Sequence, residues 1–182
     1  MAVTGAQLIE EFVNTLHKNP NVADEDRLTS PAELSAWLAT SGITEPVRAA
    51  AANLLHAMTL REALRVLLLA NNGSEGDTQA AWAVLDATAR RARIEVRFAQ
   101  GEPTLAATAD GVNGALGHIV VAVYDTITDG TWPRLKACRA HDCEWAFFDN
   151  AKNQSRTWCS MSSCGNREKA RAFRERQKTS AR

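Results

Sequence analysis

Between Gly5 and Lys18 the apolar residues Leu8, Ile9, Phe12, Val13 and Leu16 recur every three or four positions, which predicts an amphipathic helix. Asn14 lies beside that stripe, where a polar group must find a partner or face solvent. Asn19-Pro20-Asn21 stops the helix. Ser30-Pro31-Ala32-Glu33 reads as the next start: a capping serine, proline at the first helical position and a glutamate within reach of the cap. Leu34, Trp37 and Leu38 supply its apolar face, and Gly42 ends it. Thr44-Glu45-Pro46 opens a longer helix to about Ala70, carrying Leu54, Leu55, Met58, Leu64, Leu67 and Leu68. The polar run from Asn71 to Gly76 breaks it, and a further helix starts at Asp77 or Thr78 and passes Trp82 and Leu85 to Ala92.

The period then changes. Arg93-Ile94-Glu95-Val96-Arg97-Phe98 alternates polar and apolar, the pattern of a half-buried strand. Gln100-Gly101-Glu102-Pro103 makes a turn, and Thr104 to Ala109 returns as a second strand. Asn113 to Thr128 reads as a buried helix with Leu116, Ile119, Val120, Val123 and Ile127 turned inwards. Trp37 and Trp82 sit at helical positions and read as core. A boundary is expected at Asp129-Gly130. The fold class is therefore a mainly α domain with a small β-hairpin (α+β) over residues 1–130, followed by a smaller module over residues 131–182.

Composition changes this picture in two ways. With 45% apolar residues the chain can bury a real core, yet no apolar run approaches the roughly 20 residues of a membrane-spanning helix. The amino terminus does not read as a secretory signal, so a soluble, cytoplasmic protein without a membrane partner is expected. The formal charge of zero conceals a division. Residues 1–130 hold 9 Lys/Arg against 16 Asp/Glu, and residues 131–182 hold 12 against 5, so the parts carry −7 and +7. Such asymmetry points to an electrostatic role for the basic end, with a solvated tail or one folded onto the acidic part as the plainer alternatives. The larger part shows no phosphate-binding glycine loop, nucleophile elbow or histidine-rich metal helix, and His17, His56 and His118 stand singly. An enzyme is not expected.

The candidate chemistry lies in the last quarter. Cys138, Cys143, Cys159 and Cys164 form the pattern C-x4-C-x15-C-x4-C and are the only cysteines. Two short-spaced pairs can aim four sulfurs at one ion, and a four-thiolate zinc site without an open position is structural. Two disulfides are the rival reading, but a chain in a reducing cytosol seldom keeps them. His141, inside the first knuckle, is an alternative ligand. Leu135 to Cys138 and Trp145 to Asp149 should pair as a hairpin with Trp145, Phe147 and Phe148 as apolar content, and the polar loop Asn150 to Arg156 leads to the second knuckle. From Gly165 the pattern is helical, with Cys164 ligating from the first turn and Ala170 and Phe173 placed to pack on the module. Arg167, Arg171, Arg174 and Lys178 fall on one cationic stripe.

These residues carry a resemblance. The runs Cys138-Arg139-Ala140-His141-Asp142-Cys143, Phe147-Phe148-Asp149, Trp158-Cys159-Ser160-Met161 and Cys164-Gly165-Asn166-Arg167 resemble the CGNR zinc finger family. Phe12-Val13-Asn14-Thr15-Leu16 and Leu34-Ser35-Ala36-Trp37-Leu38 are similar to its companion ABATE domain, described for stress-induced transcriptional regulators. The resemblance implies one structural zinc on the four cysteines and a DNA-binding role in bacterial transcription. Treble-clef-like geometry is expected for the finger, with Arg156, Arg167, Arg171, Arg174 and Lys178 as DNA contacts. Arg167 has an equal structural reading, stacked on Trp158 or paired with Asp149. The larger domain is expected to sense a small-molecule effector, to form a homodimer, or both. The alternative function is a finger that serves as a protein-interaction or intramolecular docking module.

Overall fold

The computed structural model describes residues 4–18, 26–41, 47–99, 101–140 and 142–180. The expected ends at Asn19-Pro20-Asn21 and Gly42, the start at Thr44-Glu45-Pro46 and the alternative ligand His141 lie outside the described residues. Among the described residues, five α-helices and one hairpin precede the cysteines in the order α1 (Gly5–Val13), α2 (Pro31–Thr40), α3 (Ala51–Asn71), α4 (Thr78–Arg91), β1 (Ile94–Ala99), β2 (Glu102–Ala107) and α5 (Gly111–Thr128), with a short 3-10 turn at Trp132–Arg134. A second hairpin, β3 (Leu135–Ala137) with β4 (Ala146–Phe148), and the helix α6 (Asn166–Ser180) complete the chain. Among the described residues no helix is long and apolar enough to cross a membrane.

Local chemistry explains most of the boundaries. Ser30 caps α2 by accepting from the Glu33 amide, with Pro31 at the first helical position. Asp77 caps α4 through the Ala80 amide. Residues 47–50, expected within the long helix, are not helical, because the Asn53 side chain accepts from the Ala50 amide at 2.8 Å and sets the start of α3 there. The first helix stops at Val13 instead of Lys18. Arg65 donates to Val13 O, the last carbonyl of the helix, and to Leu16 O beyond it, while the buried Asn14 at the C-cap bonds Ala146 on another element. The second strand lies two residues earlier than the alternation suggested, and β1 and β2 pair antiparallel with Ile94 opposite Ala107 and Val96 opposite Leu105.

α3 is the hub, with α1, α2, α4, α5 and β3 packed against it. Ile9, Phe12, Leu34, Leu38, Leu60, Leu64, Leu68, Leu116 and Ile119 are buried there, and Trp37 covers the edge with its ring 5.2 Å from that of Phe12. Gly117 lets β2 approach α5, since a Cβ at that position would meet Ala92 at 2.4 Å and Ala107 at 2.7 Å. The same core continues past residue 130: Trp132, Leu135, Ala137 and Ala146 belong to it.

Three apolar expectations are corrected. Ile127 is 47% exposed, because it shares the outer face of α5 with Tyr124, 49% exposed, while Val123 and Thr126 take the inner face. Trp82 is 39% exposed and covers Trp132 from outside, ring centroids 5.9 Å apart, so it is a lid on the core. Val96 and Phe98 are 55% and 81% exposed, so the strand that alternation marked as half-buried carries its apolar face into solvent.

Candidate metal centre

The cysteines arrive from three pieces of backbone. Cys138 follows β3 and donates its amide to Trp145 O, closing the first knuckle, while the Cys143 amide returns to Ala140 O. Cys159 precedes a wide, π-helical turn at Met161–Gly165, in which the Gly165 amide reaches Ser160 O at 3.1 Å, and Cys164 projects from that turn immediately before α6. All four cysteines are free thiols, not disulfides. Their Sγ atoms lie within 4.8 Å of one another, with Cys143–Cys159 at 3.7 Å and Cys159–Cys164 at 3.6 Å. A tetrahedron of metal–sulfur bonds near 2.3 Å has edges of roughly 3.8 Å, so this spacing suits a single zinc ion.

The titration of the cluster makes the same point. Hydrogen bonds from the Cys143 and Cys159 thiols pull Cys138 down to about 2. Sharing hydrogen with Cys138 pushes Cys143 up and takes Cys159 up to about 12. Four thiols this close cannot all ionise unaided, and a divalent cation removes the conflict by holding all four as thiolates. Knuckle, hairpin and ligand-bearing helix together make a treble-clef-like arrangement.

The residues after the last cysteine each have a physical task. Gly165 is buried under the second knuckle: an added Cβ would lie 2.4 Å from Met161 Sδ and 3.0 Å from Trp158 Cδ1. Asn166 Nδ2 donates to Ser162 O at 3.3 Å across the wide turn. Arg167 pairs with Asp142 at 2.7 Å and donates towards Cys164 Sγ at 3.6 Å. It thereby ties the helix to the first knuckle and supports a ligand sulfur, as outer-shell groups of metal sites do. Its partner is neither Trp158 nor Asp149. Gly165→Ala is expected to lower the zinc affinity of the folded protein about tenfold, since the indole of Trp158 has little room to give. Competition with a chromophoric chelator reads this, and an unchanged affinity would show that the close approach is incidental.

Asp149 is claimed by Lys136. The ammonium donates to Asp149 Oδ2 at 2.8 Å and also to Gln154 O and Arg156 O, folding the polar loop around itself. Burial alone would raise the Asp149 carboxyl, but Lys136 and the amides of Ala151 and Arg156 outweigh it and hold the group below its ordinary value. Arg156 lies 4.9 Å over the Phe147 ring and donates to Phe148 O and Cys159 O, so it braces the two knuckles together.

The finger is also fastened to the helices, through residues that, Asn14 apart, the sequence pattern passes over. Arg65, 1% exposed, donates to Glu144 O at 2.8 Å and to Val13 O at 2.8 Å, with Glu62 beside its Nε at 3.0 Å. Glu144 adopts φ +49°, a left-handed conformation that belongs to the knuckle turn carrying this carbonyl. Asn14 behaves like a strand edge towards β4, giving a hydrogen bond to Ala146 O at 2.9 Å and accepting one from Ala146 N at 2.8 Å. Asn71 donates to Trp132 O and Leu135 O, and Asn72 to Ala137 O and Thr157 O. Arg61 anchors the neighbouring turn through a two-pronged contact with Asp26 at 2.6 and 2.9 Å. The advance signals were Asn14 beside the apolar stripe of α1 and two arginines spaced i, i+4 inside an apolar helix.

α6 is the outlying element, resting on the Met161–Gly165 turn. Ala170 and Phe173, expected to pack on the module, are exposed, Phe173 by 54%, because the helix leaves the finger after its first turn. Arg171 lies between Glu168 at 2.9 Å and Glu175 at 3.8 Å, whereas Arg174 and Lys178 are exposed further along. The five cations expected to touch DNA thus divide into Arg156 and Arg167, engaged within the finger, and Arg171, Arg174 and Lys178 along its outer helix.

Two family models match the chain. Residues 6–130 match ABATE, described as "Putative stress-induced transcription regulator", and residues 134–177 match the CGNR zinc finger. Neither is an enzyme family. No curated protein matches the chain. With the four sulfurs clustered and the finger identified, the cofactor is one zinc ion held by Cys138, Cys143, Cys159 and Cys164.

Proposed function

We propose, for a chain that belongs to the ABATE family and ends in a CGNR zinc finger, that it is a DNA-binding regulator of transcription working in the cytoplasm. The observation that carries this reading is a closed four-sulfur zinc site whose last ligand sits at the root of an exposed basic helix. A structural metal has no open position for chemistry, so its output is the placement of that helix. In this reading Arg171, Arg174 and Lys178 meet phosphates, while Arg156 and Arg167 hold the helix at its angle. An effector would fit the cleft of about 450 Å³ between the helices and the finger, where Glu10, Glu11 and Arg27 stand beside Trp37 and Trp145. Contacts on both sides of that cleft are what would let a ligand bias the finger.

Titrating labelled duplex DNA with zinc-loaded protein by fluorescence anisotropy tests the proposal. Affinity should fall steeply with salt, and the double change Arg174→Ala and Lys178→Ala should flatten the slope of log affinity against log salt by about two units. Binding that is absent, or indifferent to salt, would overturn it.

The alternative of an intramolecular docking module is favoured by a separate observation. The hairpin side of the finger already delivers the carbonyls of Leu135, Ala137, Glu144 and Ala146 to side chains on α3 and at the C-terminal caps of α1 and α3. The two readings use different elements of one module, with the hairpin docking and α6 left for a partner.

A further inference from the structure

The β1–β2 hairpin is the least explained surface of the molecule. Its base rests on α5 where Ala107 meets Gly117, but its outer half projects beyond the helices. Ile94, Val96 and Phe98 stand opposite Ala107, Leu105 and Pro103, so six apolar residues share one face of the ribbon. Val96 and Phe98 on that face are exposed. Among the described residues β1 and β2 are strand partners only to each other; β2 lies broadly against α5 and β1 touches α4 less closely, so β1 carries the more open edge. A two-stranded ribbon with an apolar face and an open edge is marginal by itself and prone to pair with another strand.

We propose that this edge is a self-association surface, occupied by β1 of a second copy of this chain about a two-fold axis through Val96. The sequence of the strand is self-complementary in that register. Antiparallel pairing centred on Val96 sets Glu95 of one copy opposite Arg97 of the other, twice over. It also sets Ile94 opposite Phe98, an aromatic against a β-branched side chain, twice over. Both are favourable cross-strand pairs. Among the described residues of the single chain, Glu95 and Arg97 meet each other along their own strand, at 3.4 Å and more than half exposed. A four-stranded sheet would extend the apolar face across both copies, which is the arrangement an isologous interface produces. This surface is remote in sequence from the zinc finger, and its test does not depend on DNA.

Sedimentation velocity on the purified zinc-loaded protein, over a concentration series, reads the association directly. The wild type should dimerise, and Glu95→Arg or Arg97→Glu alone should weaken it at least about tenfold by placing like charges opposite each other. An equimolar mixture of the two variants should restore the dimer as a heterodimer, since the all-arginine strand then faces the all-glutamate strand. Both positions are exposed, and unchanged circular dichroism with recovery on mixing separates lost pairing from lost folding. A wild type that stays monomeric, a dimer indifferent to both reversals, or a mixture that fails to recover would each overturn the proposal.

Discussion

Removing zinc from the native protein, by a strong chelator or by Cys159→Ser, is expected to unfold residues 131–182 and to destabilise the helices with them. The finger's own buried cluster is Cys138, Ala140, Cys143, Phe147 and Cys164, so three of its five members are metal ligands. Structural zinc contributes on the order of 10–16 kcal/mol to small finger peptides. A whole domain is stable by only about 5–15 kcal/mol, so nothing else in the module can replace the ion. The damage spreads because β3 and β4 are part of the main core. Losing the hairpin uncovers the side of α3 that packs on Leu135 and Ala137, and leaves Arg65, Asn71 and Asn72 without their carbonyls. The measurement is thermal unfolding followed by tryptophan fluorescence and far-ultraviolet circular dichroism, with and without chelator. A chelated protein that melts like the loaded one, with all its helix intact, would contradict a zinc-organised finger.

Arg65→Met should cost about 3–5 kcal/mol, the range for removing one partner from a buried charged network. Methionine can fill much of the aliphatic volume, so loss of packing is the smaller effect. The larger one is that Val13 O and Glu144 O are backbone groups in the interior and are left unsatisfied. At roughly 2–4 °C per kcal/mol for a chain of this size, the melting temperature should fall by about 10 °C. A shift of only one or two degrees would mean that water or neighbouring groups take over those carbonyls. The acidic side of the network has a definite sign. Burial raises Glu62, but Arg65, Lys18 and Arg61 overcome it and leave the carboxyl below its ordinary value. Asp26 is likewise held down, mainly by Arg61 against its own burial. Both contributions are therefore present above the ordinary carboxylate range and disappear as the pH falls through the depressed values.

Much of this molecule could be read from residue order, because the signals are local. The caps at Ser30 and Asp77 lie within three residues of the amides they serve, and the helices follow from apolar spacing of three and four. The hairpin of β3 and β4 followed from two short apolar runs around a knuckle. Where the reading went astray, a distant element had intervened. α1 stops early where Arg65, about fifty residues away, takes the carbonyl of Val13 and Asn14 finds its partner at Ala146 in the finger. Alternation in β1 told correctly which residues share a face but not whether anything covers that face.

The sequence by itself pointed to the metal centre: four thiols in two close pairs, with turns short enough to aim both sulfurs of each pair at one ion, and soft donors that, in a reducing compartment, suit zinc better than disulfides. Only the tertiary structure decided that the finger shares a core with the helices, that Arg65 and the asparagines bind its backbone, and that β1 is left with an open edge. Turn geometry and donor type are properties of neighbouring residues, whereas burial and the satisfaction of backbone carbonyls depend on which remote segments meet in space.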